Sequence, residues 1–149
     1  MGLGNNIGRN VHLTLVANPI TAASTAFDSA WIDCADYDGC MFTATFGAAT
    51  TNMTITVNYA ASTTGAGSAV SGASVTFVGA DDNKAAAIDI YKPHSKGRYL
   101  RPVVAGMAAA GTIDFGGFVA MRYGYRLGPC PASTGLVDGA IDFVAVQST

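Results

Sequence analysis

The sequence has no glutamate, one glutamine and two histidines, and only 12% of its 149 residues are charged. Glutamate and glutamine are strong helix formers, so their scarcity argues against a helical protein. His12 and His94 stand apart with no Cys/His cluster, which argues against a zinc site, and we expect neither a metal nor a cofactor. With a net charge of −2, the chain lacks the basic stripe that nucleic acid requires, so no nucleic-acid partner is expected.

Long apolar runs are also missing. No stretch approaches the ~20 residues of a membrane-spanning helix, so we expect no membrane association. The first ten residues are Gly/Asn-rich and lack the apolar core of a secretory signal, which predicts synthesis in a cytosol. Cys34, Cys40 and Cys130 are odd in number and cannot all pair, so we expect free thiols in a reducing compartment. A Cys34–Cys40 bridge across the intervening turn is the less favoured alternative.

Apolar and polar residues alternate over most of the chain. Met53 to Tyr59 read Met-Thr-Ile-Thr-Val-Asn-Tyr, and similar alternation recurs around Phe42–Phe46, Ala86–Tyr91 and Ile113–Tyr125. Successive side chains of a strand point to opposite faces, so such runs are typical of antiparallel strands with one buried face. The sequence predicts an all-β protein, a single antiparallel β-sandwich or jelly-roll-like domain over 11–149, preceded by a flexible N-terminal arm over 1–10.

The alternation also predicts strand positions and a core. Ile20–Ala30 is expected to be a loop or short helical turn, and Ser62–Ser71 a surface loop. Pro102 cannot donate to a ladder, so its strand is placed at an edge or at a bulge. Predicted strands are Val11–Ala17, Ala30–Cys34, Cys40–Phe46, Met53–Ala60, Ser74–Val78, Ala85–Tyr91, Arg98–Val104 and Ile113–Leu127. Leu136–Val146 is predicted to be either one last strand or a docked tail. The predicted core is Leu13, Leu15, Phe42, Phe46, Ile55, Val57, Ile88, Ile90, Phe115, Val119 and Met121.

Motifs that resemble functional sites are better explained as turns. The stretch from Cys34 to Gly39 departs from a calcium loop, because Cys34 and Thr45 occupy the positions where Asp and Glu are needed. Asp81-Asp-Asn-Lys84 is typical of a solvated hairpin loop. His94 and Ser95 are adjacent, and neighbouring side chains of an extended chain point apart, so they do not form a nucleophile–base pair. The sequence therefore predicts no catalytic residues and no enzyme activity.

Arginine residues are the candidate interface residues. Arg122 and Arg126 share one strand face and have tyrosine neighbours, and Arg and Tyr are enriched at protein interfaces. The alternative is an ordinary polar sheet face on which Arg stems cover Tyr rings. The predicted interface set is Arg9, Arg98, Arg101, Arg122 and Arg126.

Three stretches, Ile32–Phe42, Asp81–Pro93 and Arg98–Val104, carry a family resemblance. The order acid-x-x-x-Tyr-Asp-Gly, then Asp-Asp-Asn with Ile-Asp-Ile-Tyr-Lys-Pro, then Arg-Tyr-Leu-Arg resembles small head proteins of tailed bacteriophages, including capsid decoration (cement) proteins. The resemblance covers Asp28–Leu127.

That resemblance implies a β-sandwich that oligomerises on a capsid lattice. The expected function is to bind the outer capsid surface and stabilise the head, in a virion assembled from proteins made in the host cytoplasm. The expected partners are the major capsid protein and other copies of the chain, as a homotrimer. A phage tail or connector protein and a carbohydrate-binding β-sandwich module are the alternatives.

Overall fold

The protein is an all-β sandwich of two five-stranded antiparallel sheets. The computed structural model describes residues 11–79, 81–91, 93, 97–105 and 111–125. The predicted fold class is confirmed. The strands are β1 (Val11–Ala17), β2 (Ile20–Ala23), β3 (Phe27–Asp28), β4 (Ile32–Asp33), β5 (Gly39–Ala49), β6 (Met53–Ala60), β7 (Ser68–Phe77), β8 (Ala85–Tyr91), β9 (Tyr99–Ala105) and β10 (Ile113–Tyr123).

Each sheet joins strands that are distant in the sequence. Sheet A has the order β1-β10-β5-β8, with β2 also paired to β10. Sheet B has the order β3-β9-β6-β7, with β4 also paired to β9. Strands β1 and β8 therefore border sheet A, and β7 borders sheet B.

The core lies between the two sheets and is rich in phenylalanine. The Phe46 ring packs at a tilt against Phe77 of the other sheet, with 4.0 Å between ring centroids, and also contacts Phe115 at 5.8 Å. Aromatic contacts of this kind add to the free energy gained by burying the rings. Predicted core residues that are buried are Phe42, Phe46, Ile55, Val57, Ile88, Ile90 and Phe115.

A β-bulge in β10 reverses which side chains face the core. Phe115 pairs with Phe46 and Phe118 with Ala44, so β10 has one residue more than β5 over this stretch. Gly117 takes φ +91° there, a backbone conformation that favours glycine. Beyond the bulge Phe118 faces inward. The prediction that Val119 and Met121 belong to the core is therefore wrong, because unbroken alternation was assumed across the bulge; both are half-buried on the outer face.

The inner face of β1 is also the opposite of the predicted one. His12 and Val16 are buried, whereas Leu13 and Leu15 are half-buried on the outer face. The prediction assumed that the apolar residues Leu13 and Leu15 of this strand face the core. It was wrong because His12 faces inward instead, where it has polar partners that are described below.

Several loop predictions need correction. Ile20–Ala30 contains the two short strands β2 and β3, and Ser62–Ser71 overlaps the start of β7 at Ser68. The predicted strand Ala30–Cys34 is reduced to β4. Residues 126–127 of the predicted last long strand and the whole of Leu136–Val146 lie outside the described residues, as do residues 1–10.

Pro102 lies inside a sheet, and the predicted edge position is wrong. Strand β9 pairs with β6 on one side and with the short strands β3 and β4 on the other. Pro102 sits opposite the gap between those two strands, where its carbonyl accepts the Ser29 backbone N–H at 3.1 Å and the Ser29 hydroxyl at 2.9 Å. No ladder N–H is required at this gap, which is why proline is tolerated.

Candidate interaction surfaces

The outer face of sheet B is polar. Thr54 and Thr76 lie opposite each other and share a hydroxyl–hydroxyl hydrogen bond of 3.1 Å. Thr56 donates to Ser74 one row further along, at 3.5 Å. This is the usual outer face of an antiparallel sheet, with hydrogen-bonding side chains directed to water.

The outer face of sheet A is apolar. Leu13 lies opposite Met121, and Met121 in turn lies opposite Met41. In the next row Leu15 lies opposite Val119. We call this surface the apolar face. Its members are Val11, Leu13, Leu15, Met41, Val119 and Met121, all half-buried in the structure.

A hollow of about 290 Å³ adjoins the apolar face. Its walls include Thr43, Thr45, Ala87, Gly116 and Val119. The bulge exposes Gly116, and because the surrounding side chains are small, the sheet surface is depressed there. The apolar face and the hollow together give sheet A an uneven, largely uncharged surface, which is unusual for a sheet face in contact with water.

Tyr123 closes one end of the apolar face. Its ring crosses strand β5 above Gly39, and its hydroxyl donates to the Asp89 carboxylate, with 2.8 and 3.0 Å to the two oxygens. Burial and the hydrogen bond to the Asp89 carboxylate hold the pKa of Tyr123 well above its usual value. Tyr91 lies on the same face, opposite Gly39 in the neighbouring strand, and is 66% exposed.

Arg98 is held at the surface by an ion pair. Its Nε donates to both carboxylate oxygens of Asp33, at 2.9 and 2.8 Å, and its Nη2 also contacts that carboxylate. Although burial acts to raise it, the hydrogen bond and charge of Arg98 keep the pKa of Asp33 below its usual value. The Arg98 side chain remains 56% exposed, so its outer part is accessible to a partner.

Arg101 is largely buried by contacts within the chain. Its guanidinium lies 4.4 Å from the ring centroid of Trp31 and 2.6 Å from a carboxylate oxygen of Asp28. It also donates to the Ala66 carbonyl at 3.1 Å. Because Ala66 belongs to the Gly/Ser/Thr/Ala-rich loop, Arg101 ties that loop to the outside of sheet B.

Arg122 lies inside one end of the sandwich. Its Nη2 is 2.7 Å from His12 Nδ1, and its Nη1 donates to the Asp33 carbonyl at 2.7 Å. Its guanidinium also lies 4.7 Å from the Tyr37 ring centroid. No carboxylate among the described residues pairs with this buried cation. Burial, followed by the Arg122 charge, lowers the pKa of His12.

The three predicted interface arginines among the described residues are not gathered on one surface. Arg98 is exposed, while Arg101 and Arg122 bind groups within the chain. Arg9 and Arg126 lie outside the described residues. Sequence reasoning missed the apolar face, because four of its members were assigned to the core, namely Leu13, Leu15, Val119 and Met121. The Gly116-Gly117 pair in the middle of a strand was the available signal, since glycine inside a strand often marks a bulge.

Cys34 and Cys40 are free thiols with no exposed surface. Burial raises the pKa of the Cys40 thiol, and its neighbour Cys34 acts in the same direction. The predicted free thiols at Cys34 and Cys40 agree with the structure, while Cys130 lies outside the described residues. Within the described ranges, no group of three or more potential metal ligands is found. The part of the chain that the structure describes also has no helix long and apolar enough to cross a membrane.

Comparison with known proteins gives one structural likeness. No family model and no curated protein matches the sequence. The chain is similar to a chain of Bacillus endospore appendages, described as a novel family of disulfide-linked pili, at 23% identity and a TM-score of 0.45, with 77% of this chain and 88% of that chain covered. We infer nothing about function from a likeness at this level.

Proposed function

We propose that the protein is a non-enzymatic structural component of a tailed-phage virion that binds the outer surface of the capsid and stabilises the head. The observation that carries the proposal is the contrast between the two sheets. Sheet B presents Thr/Ser side chains to solvent, whereas sheet A presents leucine, methionine and valine. A sheet whose outer face is apolar gains free energy when a partner covers that face.

We assign the apolar face to contact with the major capsid protein. The carboxylate of Asp89, which lies opposite Met41 at the edge of this face, already accepts a hydrogen bond from Tyr123. Covering this surface therefore leaves the Asp89 carboxylate hydrogen-bonded, which lowers the cost of removing it from water. The resemblance to phage decoration proteins over Asp28–Leu127 supports this choice of partner.

A trimer is the proposed oligomeric state. Cyclic symmetry lets three copies occupy a local threefold of a capsid lattice. Three linked apolar faces bind together, so that the second and third contacts form at a high effective concentration. Modest single contacts then produce tight attachment without a large interface on each copy.

The test is co-sedimentation with empty capsids, after the mass of the free protein has been measured by size exclusion with light scattering. We expect the wild-type protein to be a trimer and to pellet with capsids. The double variant Leu15→Ser, Met121→Ser should lose capsid binding, because both side chains belong to the apolar face. Thr54→Ser, Thr76→Ser on sheet B is the matched control and should bind like wild type. Equal binding by both variants would exclude the apolar face, and no binding by the wild-type protein would contradict the proposal.

Carbohydrate binding is the second candidate, and it is favoured by one observation. Tyr91, at 66% exposure, lies beside Asp89 and Tyr123, an aromatic and carboxylate arrangement suited to stacking on a sugar ring. Trp31, in contrast, is covered by Arg101. Glycan binding that Tyr91→Ala abolishes, by a protein that ignores capsids, would favour this candidate. A tail or connector role would instead appear as binding to tails or portal complexes.

A further inference from the structure

A cluster of buried polar side chains lies at one end of the sandwich, where β1, β10 and the turn after β4 meet. His12 of β1 lies opposite Arg122 of β10 in sheet A, and the two residues are 7% and 9% exposed. Arg122 Nη2 is 2.7 Å from His12 Nδ1, and the Tyr37 hydroxyl is 2.9 Å from the same nitrogen. A permanently charged group and a group that titrates near neutral pH therefore share a buried site.

The chemistry of Arg122 fixes the protonation state of His12. A guanidinium has five N–H donors and no acceptor, and it stays charged in a protein. The ring nitrogen beside it must therefore carry a lone pair, so His12 is neutral with its proton on Nε2. A proton added to Nδ1 replaces an accepted hydrogen bond with two adjacent positive charges. Tyr37 can accept a hydrogen bond from the new N–H, but Arg122 cannot.

No negative charge in the described part of the chain offsets this repulsion. The groups that contact the His12 ring are Arg122 of β10 and Tyr37 of the turn between β4 and β5. Among the described residues, neither His12 nor Arg122 has a carboxylate partner. Burial, followed by the Arg122 charge, lowers the pKa of His12, in agreement with this geometry. Titratable groups further from the ring at this end of the sandwich are Asp38, Tyr125, Cys34 and Cys40.

Arg122 is held more firmly than His12. Strand β10 lies between β1 and β5 and pairs with both. The Arg122 Nη1 donates to the Asp33 carbonyl of β4 at 2.7 Å, and its guanidinium lies 4.7 Å from the Tyr37 ring centroid. Strand β1 adds a longer contact from the Thr14 hydroxyl, at 3.2 Å, and among the described strands it pairs with β10 alone. Repulsion between the two side chains is therefore relieved by movement of β1.

We propose that His12 and Arg122 form a pH-sensitive switch, in which protonation of His12 separates β1 from β10 at this end while the other strands stay paired. The outward side chains of β1 include Leu13 and Leu15 of the apolar face, so the same step removes two members from that face. A partner bound to the apolar face would then bind more weakly below about pH 6.5. This last consequence rests on the proposed function, whereas the opening of β1 does not.

Hydrogen exchange measured by mass spectrometry on the full chain tests the opening without any partner. Amide protection is compared at about pH 7.5 and about pH 5.5, after correction for the intrinsic exchange rate. We expect β1 to lose protection by about fivefold or more at the lower pH, because the opened state binds more protons. At the lower pH, β1 should also exchange about tenfold faster than β6, since an opening confined to an edge strand costs less free energy than global unfolding.

Two variants assign the response to one histidine. His12→Gln keeps a hydrogen-bond acceptor opposite Arg122 but does not take up a proton, so its β1 protection should be the same at both pH values. His94→Gln is the matched control and should respond like wild type. An NMR titration of the His12 ring in the wild-type protein needs no variant, and its midpoint should coincide with the loss of β1 protection.

Several results would overturn the proposal. Protection of β1 that does not change with pH would show that the His12–Arg122 contact does not control this strand. Equal protection of β1 and β6 at about pH 5.5 would show that the sandwich opens only as a whole. A response retained in His12→Gln, or midpoints that differ by more than about one pH unit, would assign the pH dependence to another group.

Discussion

The ring of Tyr123 lies directly over Gly39, so that a Cβ built on Gly39 would be 2.0 Å from the ring's Cζ. The ring bridges β10 to β8 across the backbone of β5, and Gly39 is the position that allows it. Gly39→Ala should displace the ring and break its hydrogen bond to Asp89, at a cost of about 1 kcal/mol in the free energy of unfolding. Urea unfolding measures this, with Gly79→Ala as a control in which the new Cβ meets only ordinary contacts at 3.7 Å. Equal stability of Gly39→Ala and wild type would show that the ring contributes nothing.

Phe46 should be a principal stabilising residue of the core. It is 4% exposed and contacts aromatic rings of both sheets. Phe46→Ala is expected to cost about 3–5 kcal/mol, as large-to-small core changes do. Thr45→Ala, at the exposed neighbouring position, should change stability by less than about 0.5 kcal/mol. A loss below about 1 kcal/mol for Phe46→Ala would contradict its central position in the core.

Gly117 should be the residue on which the β10 bulge depends. Its φ is +91°, and a Cβ would approach the Ala17 carbonyl oxygen to 2.7 Å. Gly65 has a similar φ of +93° with nothing within 4 Å, so Gly65→Ala isolates the conformational cost. Gly117→Ala should lose about 2–3 kcal/mol and Gly65→Ala about 1 kcal/mol, both measured by thermal or urea unfolding. Equal losses would show that the close approach to Ala17 relaxes freely.

His12 should make stability depend on pH. Its pKa is lowered in the folded protein, so below the usual value of about 6.5 the unfolded chain binds more protons than the folded one. The free energy of unfolding should therefore fall as the pH drops from about 7 to about 5, a window above carboxylate titration. The variant His12→Gln, which retains His94, should show a smaller change in the free energy of unfolding over this pH range. An unchanged slope would assign the pH dependence to another group.

The cysteines should be reduced in the native protein. Cys34 and Cys40 have no exposed surface, and burial raises the pKa of Cys40, so both should react slowly with a thiol reagent until the protein is unfolded. A Cys130→Ser variant separates them from the third cysteine. Intact mass before reduction is the decisive measurement, because a bridge removes about 2 Da. If the unreduced Cys130→Ser variant is lighter by this amount, the result would support the Cys34–Cys40 alternative.

The sequence predicted the fold class and the centre of the sandwich, because Met53–Ala60 and Ala85–Tyr91 alternate without interruption, and both strands have the predicted bounds. Prediction failed in β10 and β1, where a single residue changes which set of alternating side chains faces the core. The bulge at Gly117 reverses β10, and the polar partners of His12 reverse β1. Both errors moved apolar residues from an outer face to the core, so the apolar face could not be found by alternation alone. Which face of a strand is buried depends on its neighbours in the sheet, and that information is not local to the strand.

The stack of Arg101 on Trp31 provides an internal optical reporter. Trp31 is the chain's single tryptophan, and its ring contacts both the Arg101 guanidinium and the loop that carries Gly67, where a Cβ would be 2.6 Å from the indole. Its fluorescence therefore responds to release of the 61–67 loop, whereas far-UV circular dichroism responds to loss of the sheets. A shift in emission that precedes the dichroism change during heating would record local opening at the rim of sheet B before global unfolding.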